Sequence, residues 1–144
     1  VGWLYYSGYK PFKGEQAHLG YKKAMATGMV QEAERQILKA LKYDSDNTLY
    51  CLYAAQLYMG PSKDFAKARD LLERAVHRFN GDATMWSLYY LKGQLAFQTG
   101  AVVEAKAALE KSLYYNPLYR EAQEKLEEVN KLIKDHDRVT IKFR

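Results

Sequence analysis

One ten-residue pattern occurs three times in the chain, and it constrains the fold more than any other feature of the sequence. The copies are EAERQILKAL, KARDLLERAV and EAKAALEKSL, which begin at Glu32, Lys67 and Glu104. In each copy the second residue is Ala, the sixth is a branched aliphatic, the ninth is Ala or Ser, and the tenth is apolar. Apolar residues at i, i+4, i+7 and i+8 share one side of an α-helix. The pattern therefore predicts one amphipathic helix used three times.

A second helical segment, richer in aromatic residues, precedes each of these amphipathic helices. An apolar stripe needs a neighbour to cover it, so we expect each segment to pair with the helix that follows it. The sequence thus predicts a repeating unit of helix, short turn and helix, followed by a closing helix. We predict the first helices of the three pairs over residues 15–27, 48–59 and 83–99.

Glycine and Asx residues mark the ends of the predicted helices. Gly28, Gly60 and Gly100 each follow a first helix, and we expect them to end it in a left-handed backbone conformation. Polar segments separate one pair from the next, and their Asx residues can cap the following helix. These segments are DSDN at 44–47, NGD at 80–82 and NP at 116–117.

The two ends of the chain do not follow the repeat. The N-terminal extension, residues 1–13, concentrates aromatic residues in VGWLYYSGYKPF. We expect it to fold back over the first helix, with the aqueous edge of a preceding membrane anchor as the alternative. The C-terminal residues RVTIKFR alternate like a short strand, but the sequence predicts no second strand to pair with them. We therefore predict an extended tail over residues 136–144.

Composition limits the class of protein. With 144 residues and 48% hydrophobic residues the chain can bury one sizeable core. It has no apolar run near the ~18 residues of a membrane helix, which predicts a soluble chain or a soluble piece. The net charge of +5 is spread along the sequence, so it points only weakly to an acidic partner. The single Cys51 cannot form an internal disulfide and sits among apolar residues, which predicts a small buried side chain.

The sequence offers almost no catalytic or cofactor chemistry. The three histidines, His18, His77 and His136, are far apart, and none has a partner at the spacing of a zinc site. Phosphate-binding glycine motifs and the GxSxG nucleophile motif are missing. The carboxylates in EAQEKLEEVN resemble a solvated helix face more than an acid–base pair, because no residue nearby would desolvate one of them. We therefore predict no enzyme, no metal and no cofactor.

The repeat resembles the tetratricopeptide repeat (TPR), a helix-turn-helix unit of about 34 residues. The resemblance implies an all-α, right-handed superhelical α-solenoid of three units, about 14–47, 48–82 and 83–119, with a capping helix over 119–135. Two features depart from the family pattern: Tyr21 lies where a small residue is usual, and GPSKDF lengthens the second unit. The resemblance is carried by Gly28, Ala33, Ile37 and Ala40, then Phe65, Ala68, Leu72 and Ala75, then Gly93, Gly100, Ala105, Leu109, Ser112 and Pro117.

The resemblance also implies a function and a binding surface. TPR domains bind an extended peptide or a helix of a partner protein in a concave groove formed by the first helix of each pair. Chaperone-binding members hold a C-terminal carboxylate with Lys, Asn and Arg, and of these only Lys22 has a counterpart here. The expected groove is instead apolar and aromatic, with glutamines. Its predicted residues are His18, Lys22 and Met25, then Leu52, Gln56 and Met59, then Tyr90, Gln94 and Phe97.

Several alternatives stay open at this point. The spacings between the copies also resemble the half-a-TPR repeat of RNA-processing scaffolds, although the scattered basic residues make a nucleic-acid partner the less favoured hypothesis. The segment YKPFKGEQAHLGYKKAMATG resembles the start of the extracytoplasmic tail of bacterial polysaccharide polymerases and ligases. A homodimer through the aromatic N-terminus is a further hypothesis. The sequence indicates no compartment.

Overall fold

The computed structural model describes Trp3 and residues 8–45, 47–78 and 85–142. Within these residues the chain forms seven α-helices and no β-strand, which confirms the predicted all-α repeat of paired helices. The chain divides into two compact units, residues 1–68 and 69–144, and the boundary falls inside the fourth helix. The helices are α1 (Lys10–Ala26), α2 (Val30–Tyr43), α3 (Thr48–Met59), α4 (Phe65–Arg78), α5 (Met85–Gln98), α6 (Val102–Tyr115) and α7 (Arg120–Lys142).

In the first unit, α1 and α2 form a hairpin that turns at Gly28. Gly28 has a φ of 73°, a left-handed conformation that costs glycine little because it has no Cβ. The amide of Met29 donates a hydrogen bond of 2.9 Å to the carbonyl of Ala24, which closes the end of α1. The left-handed conformation predicted for this glycine is therefore confirmed.

The predicted contact positions of α2 are completely buried. Ala33, Ile37 and Ala40 each expose 0% of their surface. Helix α1 also has a small residue at the contact, since a Cβ added to Gly14 would lie 3.2 Å from the Asp44 Cβ atom and 3.5 Å from the Ala40 carbonyl oxygen. The helices of the pair are thus held close together at residues that have little or no side chain.

Helix α3 begins as predicted and ends differently. The side-chain oxygen of Asn47 accepts hydrogen bonds from the amides of Leu49 and Tyr50, so the predicted Asx cap is confirmed. At the other end, the left-handed conformation predicted for Gly60 is wrong: its φ is −101°. Lys63 has the positive φ instead, 47°, because the longer GPSKDF turn makes its reversal three residues later.

The second unit contains another close hairpin, between α5 and α6. Gly100 has a φ of 81°, as predicted, and the next amide, of Ala101, donates to the carbonyl of Ala96 over 2.8 Å. A Cβ on Gly93 would lie 2.9 Å from Leu109 Cγ, and Leu109 is fully buried. The buried hydroxyl of Ser112 donates a 2.7 Å hydrogen bond across to the backbone oxygen of Trp86.

Helix α7 covers the apolar face that α6 leaves open. Ala122 and Val129 of α7 expose none of their surface and pack in one cluster with Ala105 and Leu109 of α6. Leu126 and Ile133 border this cluster from the same helix. This packing is the covering role predicted for the closing helix.

Two predictions for the chain ends need correction. Helix α1 begins at Lys10, inside the predicted extension, and a proline in its first turn favours this start because the missing amide hydrogen is not needed there. Helix α7 continues to Lys142, so the extended conformation predicted from residue 136 is wrong as far as residue 142. An existing helix gains one hydrogen bond with each added residue, whereas a strand needs a partner strand.

The aromatic extension is described only in part. Residues 1, 2 and 4–7 lie outside the described residues, and so does the part of the chain that would show whether the extension folds back over α1. The described side chains of Trp3, Tyr9 and Phe12 are exposed.

The buried alanines provide a test of the helix packing. We expect Ala68→Leu to lower the free energy of unfolding by about 1–3 kcal/mol, because Ala68 is fully buried and a larger side chain would push the helices apart. Ala66→Leu, at an exposed position of the same helix, should change it by less than about 0.5 kcal/mol. Urea denaturation of both variants measures the difference, and equal effects would show that the assigned helix faces are incorrect.

Candidate functional site

The nine residues predicted to line the groove lie on α1, α3 and α5, three on each helix. Helices α1 and α3 belong to the first unit and α5 to the second. The structure places some of these side chains at the surface and others in the core.

In the first unit, His18 is a core residue that packs among tyrosines of α1 and α3. Its ring centroid lies 5.0 Å from that of Tyr50 and 5.2 Å from that of Tyr53, and Tyr21 stacks beside it at 6.3 Å. Its Nε2 atom is buried and has no hydrogen-bond partner among the described residues. Burial lowers the pKa of His18, and the nearby Lys22 lowers it further, so the imidazole is held in its neutral form.

The other predicted residues of the first unit differ in exposure. Lys22, Met25 and Gln56 are exposed, and Leu52 is half-buried, so all four keep some surface available to a partner. Met59 is buried, like His18, because α3 is apolar on nearly every side and packs on more than one face. Sequence reasoning could not tell a groove residue from a core residue on such a helix.

In the second unit, α5 and α7 together form an aromatic surface. The ring of Tyr119, the residue that precedes α7, lies edge-on to two rings of α5, 4.6 Å from Trp86 and 4.8 Å from Tyr90 between centroids. Phe97 of α5 continues this surface, and all four rings are half-buried. We call Trp86, Tyr90, Phe97 and Tyr119 the aromatic wall. Two predicted groove residues, Tyr90 and Phe97, are part of it.

Polar groups at the wall are already engaged with neighbouring residues. The third predicted residue of α5, Gln94, donates a 3.0 Å hydrogen bond from Nε2 to the hydroxyl of Tyr90. The ammonium group of Lys125 on α7 lies 4.6 Å from the centroid of the Phe97 ring and 3.0 Å from the Glu128 carboxylate. Its charge is thus balanced by an ion pair and a cation–π contact.

The tyrosines of the wall are hydrogen-bond donors at neutral pH. Burial raises the pKa of Tyr119 to about 12, and Tyr90 and Glu121 add to the effect. Burial also raises the pKa of Tyr90, against the opposing influence of Lys125. Both phenols therefore keep their protons, and they can donate to carbonyl groups of a bound chain.

Helix α7 contributes to the wall, which the sequence analysis did not predict. Tyr119 and Lys125 were assigned only to a closing helix whose role is to cover the core. The signal for a second role was present, because the segment LYREAQEKL places an aromatic residue before the helix and a lysine on the turn that follows. A closing helix packs beside the last pair just as a further first helix would, so it borders the same surface.

Other kinds of site find no support in the described part of the chain. There, no group of three or more His, Cys, Asp or Glu side chains is arranged to bind a metal ion. None of the described helices combines the length and the apolar character that crossing a membrane requires. Cys51 is buried, as predicted from its apolar neighbours.

Comparison with known proteins places this arrangement of helices in a class of α-helical repeat domains. No protein-family model matches the sequence, and no curated protein matches it significantly. Solved structures do match. The first TPR domain of Spaghetti (RPAP3), bound to the HSP90 peptide SRMEEVD, is 22% identical with a TM-score of 0.75, over 86% of this chain and 95% of that one.

Two further structures agree. MamA is 26% identical with a TM-score of 0.72, over 87% of this chain and 66% of that chain. The TPR domain of Arabidopsis OM64 is 17% identical with a TM-score of 0.74, over 85% and 98% of the two chains. The chain therefore has the fold of a TPR domain, as the sequence resemblance implied.

The buried histidine gives the fold a predictable response to pH. Because the pKa of His18 is lowered in the folded chain, the unfolded chain takes up a proton at a pH where the folded chain does not. The free energy of unfolding should have its full value above the ordinary pKa of 6.5 and decrease as the pH falls below it. We expect His18→Phe to remove this decrease between pH 7.5 and about 5.5.

Chemical denaturation at several pH values measures the effect. His77→Phe provides the matched control, since His77 is exposed. The free energy of unfolding of this variant should depend on pH as that of the wild type does. A pH dependence that is unchanged in His18→Phe would show that His18 is not the titrating group.

Proposed function

We propose that the chain is a non-catalytic scaffold that binds a peptide or a helix of a partner protein. The TPR fold supports this proposal, and so does the HSP90 peptide bound to the first TPR domain of RPAP3. The comparison itself shows the fold, and the proposal for the surface and the ligand rests on residues of this chain.

The aromatic wall of the second unit is the surface proposed to bind the partner. It combines three properties of protein-binding surfaces: half-buried aromatic rings, hydroxyl and indole donors at their edges, and support from a packed core. Phe97, Tyr90 and Tyr119 pack against the buried cluster around Leu109, so their ring positions are fixed before a ligand arrives. A rigid surface loses little side-chain entropy on binding.

The chemistry of the wall favours an apolar or amphipathic segment of the partner. Aromatic faces bind Leu, Tyr or Phe side chains, and the phenol of Tyr119 can donate to a backbone carbonyl. A strongly acidic segment fits less well, because Lys125 at the wall is paired with Glu128. Glu121 and Glu124 lie close enough to Tyr90 to raise its pKa, so they would also repel carboxylates.

In the first unit, the predicted groove residues that are exposed remain predicted contacts with the partner. Lys22, Met25 and Gln56 have accessible side chains, and Leu52 is partly accessible. We propose that they contribute contacts to a partner, while His18 and Met59 support the fold from the core. Lys22 and Gln56 could orient polar groups of the partner, and Met25 and Leu52 could contact apolar ones.

Selection from a random peptide library displayed on phage would test this proposal. We expect it to enrich peptides containing Leu, Tyr or Phe, whose affinity is then measured by fluorescence polarisation. Phe97→Ala and Tyr90→Ala should each weaken binding by about 2 kcal/mol or more, roughly 30-fold, because aromatic anchors contribute most of the binding energy. Phe12→Ala removes an exposed ring outside the predicted groove and should leave the affinity unchanged.

Two controls make the result interpretable. Melting temperatures identify variants that lose binding because they unfold. The synthetic peptide SRMEEVD serves as an acidic probe, which we expect to bind weakly or not at all. If folded Tyr90→Ala and Phe97→Ala bind the selected peptides as tightly as the wild type, or if acidic peptides are the ones selected, the proposed surface and ligand are wrong.

A further inference from the structure

Helix α6 has an outward face that the proposed peptide-binding surface does not use. Its inward face is buried through Ala105, Leu109 and Ser112. On the opposite side, Val103 and Tyr114 each expose 76% of their surface, and the small residue Ala107 lies exposed between them. Residues 103, 107 and 114 follow the spacing of one helix stripe. Two large exposed apolar side chains thus flank a small one that permits close approach.

Charged residues border this stripe on both sides. Glu104 and Lys111 lie on one side, next to an open cleft of about 420 Å³ that includes Ala107 and Ala108 in its lining. Lys106 and Glu110 lie on the other side. Within the described residues Glu104, Lys106 and Glu110 form no ion pair, and the Lys111 ammonium lies 5.6 Å from the centre of the exposed Tyr114 ring. The face therefore carries both signs of charge in a regular order.

The charges along one α6 helix complement those along a second α6 helix that runs in the opposite direction. When a two-fold axis relates two antiparallel helices, each side of one helix faces the same side of the other with the chain direction reversed. A two-fold axis near Ala107 and Ala108 would place Glu104 opposite Lys111. The same axis would place Lys106 opposite Glu110, and Val103 opposite Tyr114. All three relations have nearly the same centre, so one two-fold axis would satisfy them together.

We propose that a second copy of this chain docks on the outward face of α6, with the two α6 helices antiparallel. Charge complementarity favours a second copy over another partner, because each acidic residue of one α6 would face a basic residue of the other α6. Val103 and Tyr114 would bury their exposed surface, and Ala107 would allow the helices to approach closely. One pair of helices buries less than about 1,000 Å², so the dimer should be weak and reversible.

Sedimentation equilibrium of the intact chain between about 10 μM and 1 mM, a range suited to a weak interface, tests the proposal. We expect the wild type to approach the mass of a dimer at the upper end. Glu104→Lys and Lys111→Glu would each place like charges opposite one another at two places, and each should weaken association at least about tenfold. Both positions are exposed, and circular dichroism would confirm that the variants are folded.

Mixing the two variants provides the sharpest test. One chain then carries Lys at both positions and the other carries Glu at both, so an equimolar mixture should form a heterodimer although neither variant associates alone. Glu127→Lys and Lys131→Glu on α7 make the same changes in net charge at exposed positions outside this face, and they should associate like the wild type.

Three results would overturn the proposal. A wild-type chain that stays monomeric at 1 mM, about the weakest association that this experiment detects, would show that the face does not self-associate. A dimer that is insensitive to Glu104→Lys and Lys111→Glu would place the contact elsewhere, the aromatic N-terminus included. Single variants that fail to associate, together with a mixture that also fails, would show that these charges do not face one another.

Discussion

The close approach of paired helices at small residues is the constraint on which the rest of this structure depends. Gly93 in the second unit lies where an added Cβ would meet Leu109 of the neighbouring helix at 2.9 Å. At such distances each side chain must match the shape of the opposite surface, and Ala33 and Ala105 are completely buried for this reason. The distance between the helices in turn determines where their outer faces lie, and with them the aromatic wall and the outward face of α6.

The second helix of each pair could be predicted from sequence in detail because its buried residues recur at the same positions in all three copies. Ile37, Leu72 and Leu109 were placed by periodicity alone, and all three are completely buried. The first helices gave no comparable signal. Helix α3 is apolar on almost every side, so periodicity cannot assign its faces. This is why Met59 was predicted in a groove and lies in the core. On α1 the apolar and polar residues are not separated onto opposite faces, so periodicity could not place His18 either.

The turns and the closing helix also differ in what determines them: some features depend on a single residue, and others depend on a whole turn or on distant parts of the chain. The reversals at Gly28 and Gly100 depend on a single residue without a side chain, and the sequence predicts them correctly. The reversal after α3 depends on the length of the whole turn, and it occurs at Lys63. The contribution of α7 to the aromatic wall depends on packing between elements distant in sequence. Lys125 and Phe97 are adjacent only because α7 packs beside α5, and the sequence around either residue does not identify the other as its partner.

The position of Trp86 gives the chain an internal optical reporter. The chain has two tryptophans, Trp3 and Trp86, and only Trp86 lies in the aromatic wall. Indole emission responds to the polarity around the ring, and the Tyr119 ring at 4.6 Å is close enough to transfer excitation to it. Replacing Trp3 with phenylalanine would leave one emitter at the surface where a partner is proposed to bind. Occupancy of that surface could then be followed by fluorescence, without an attached label.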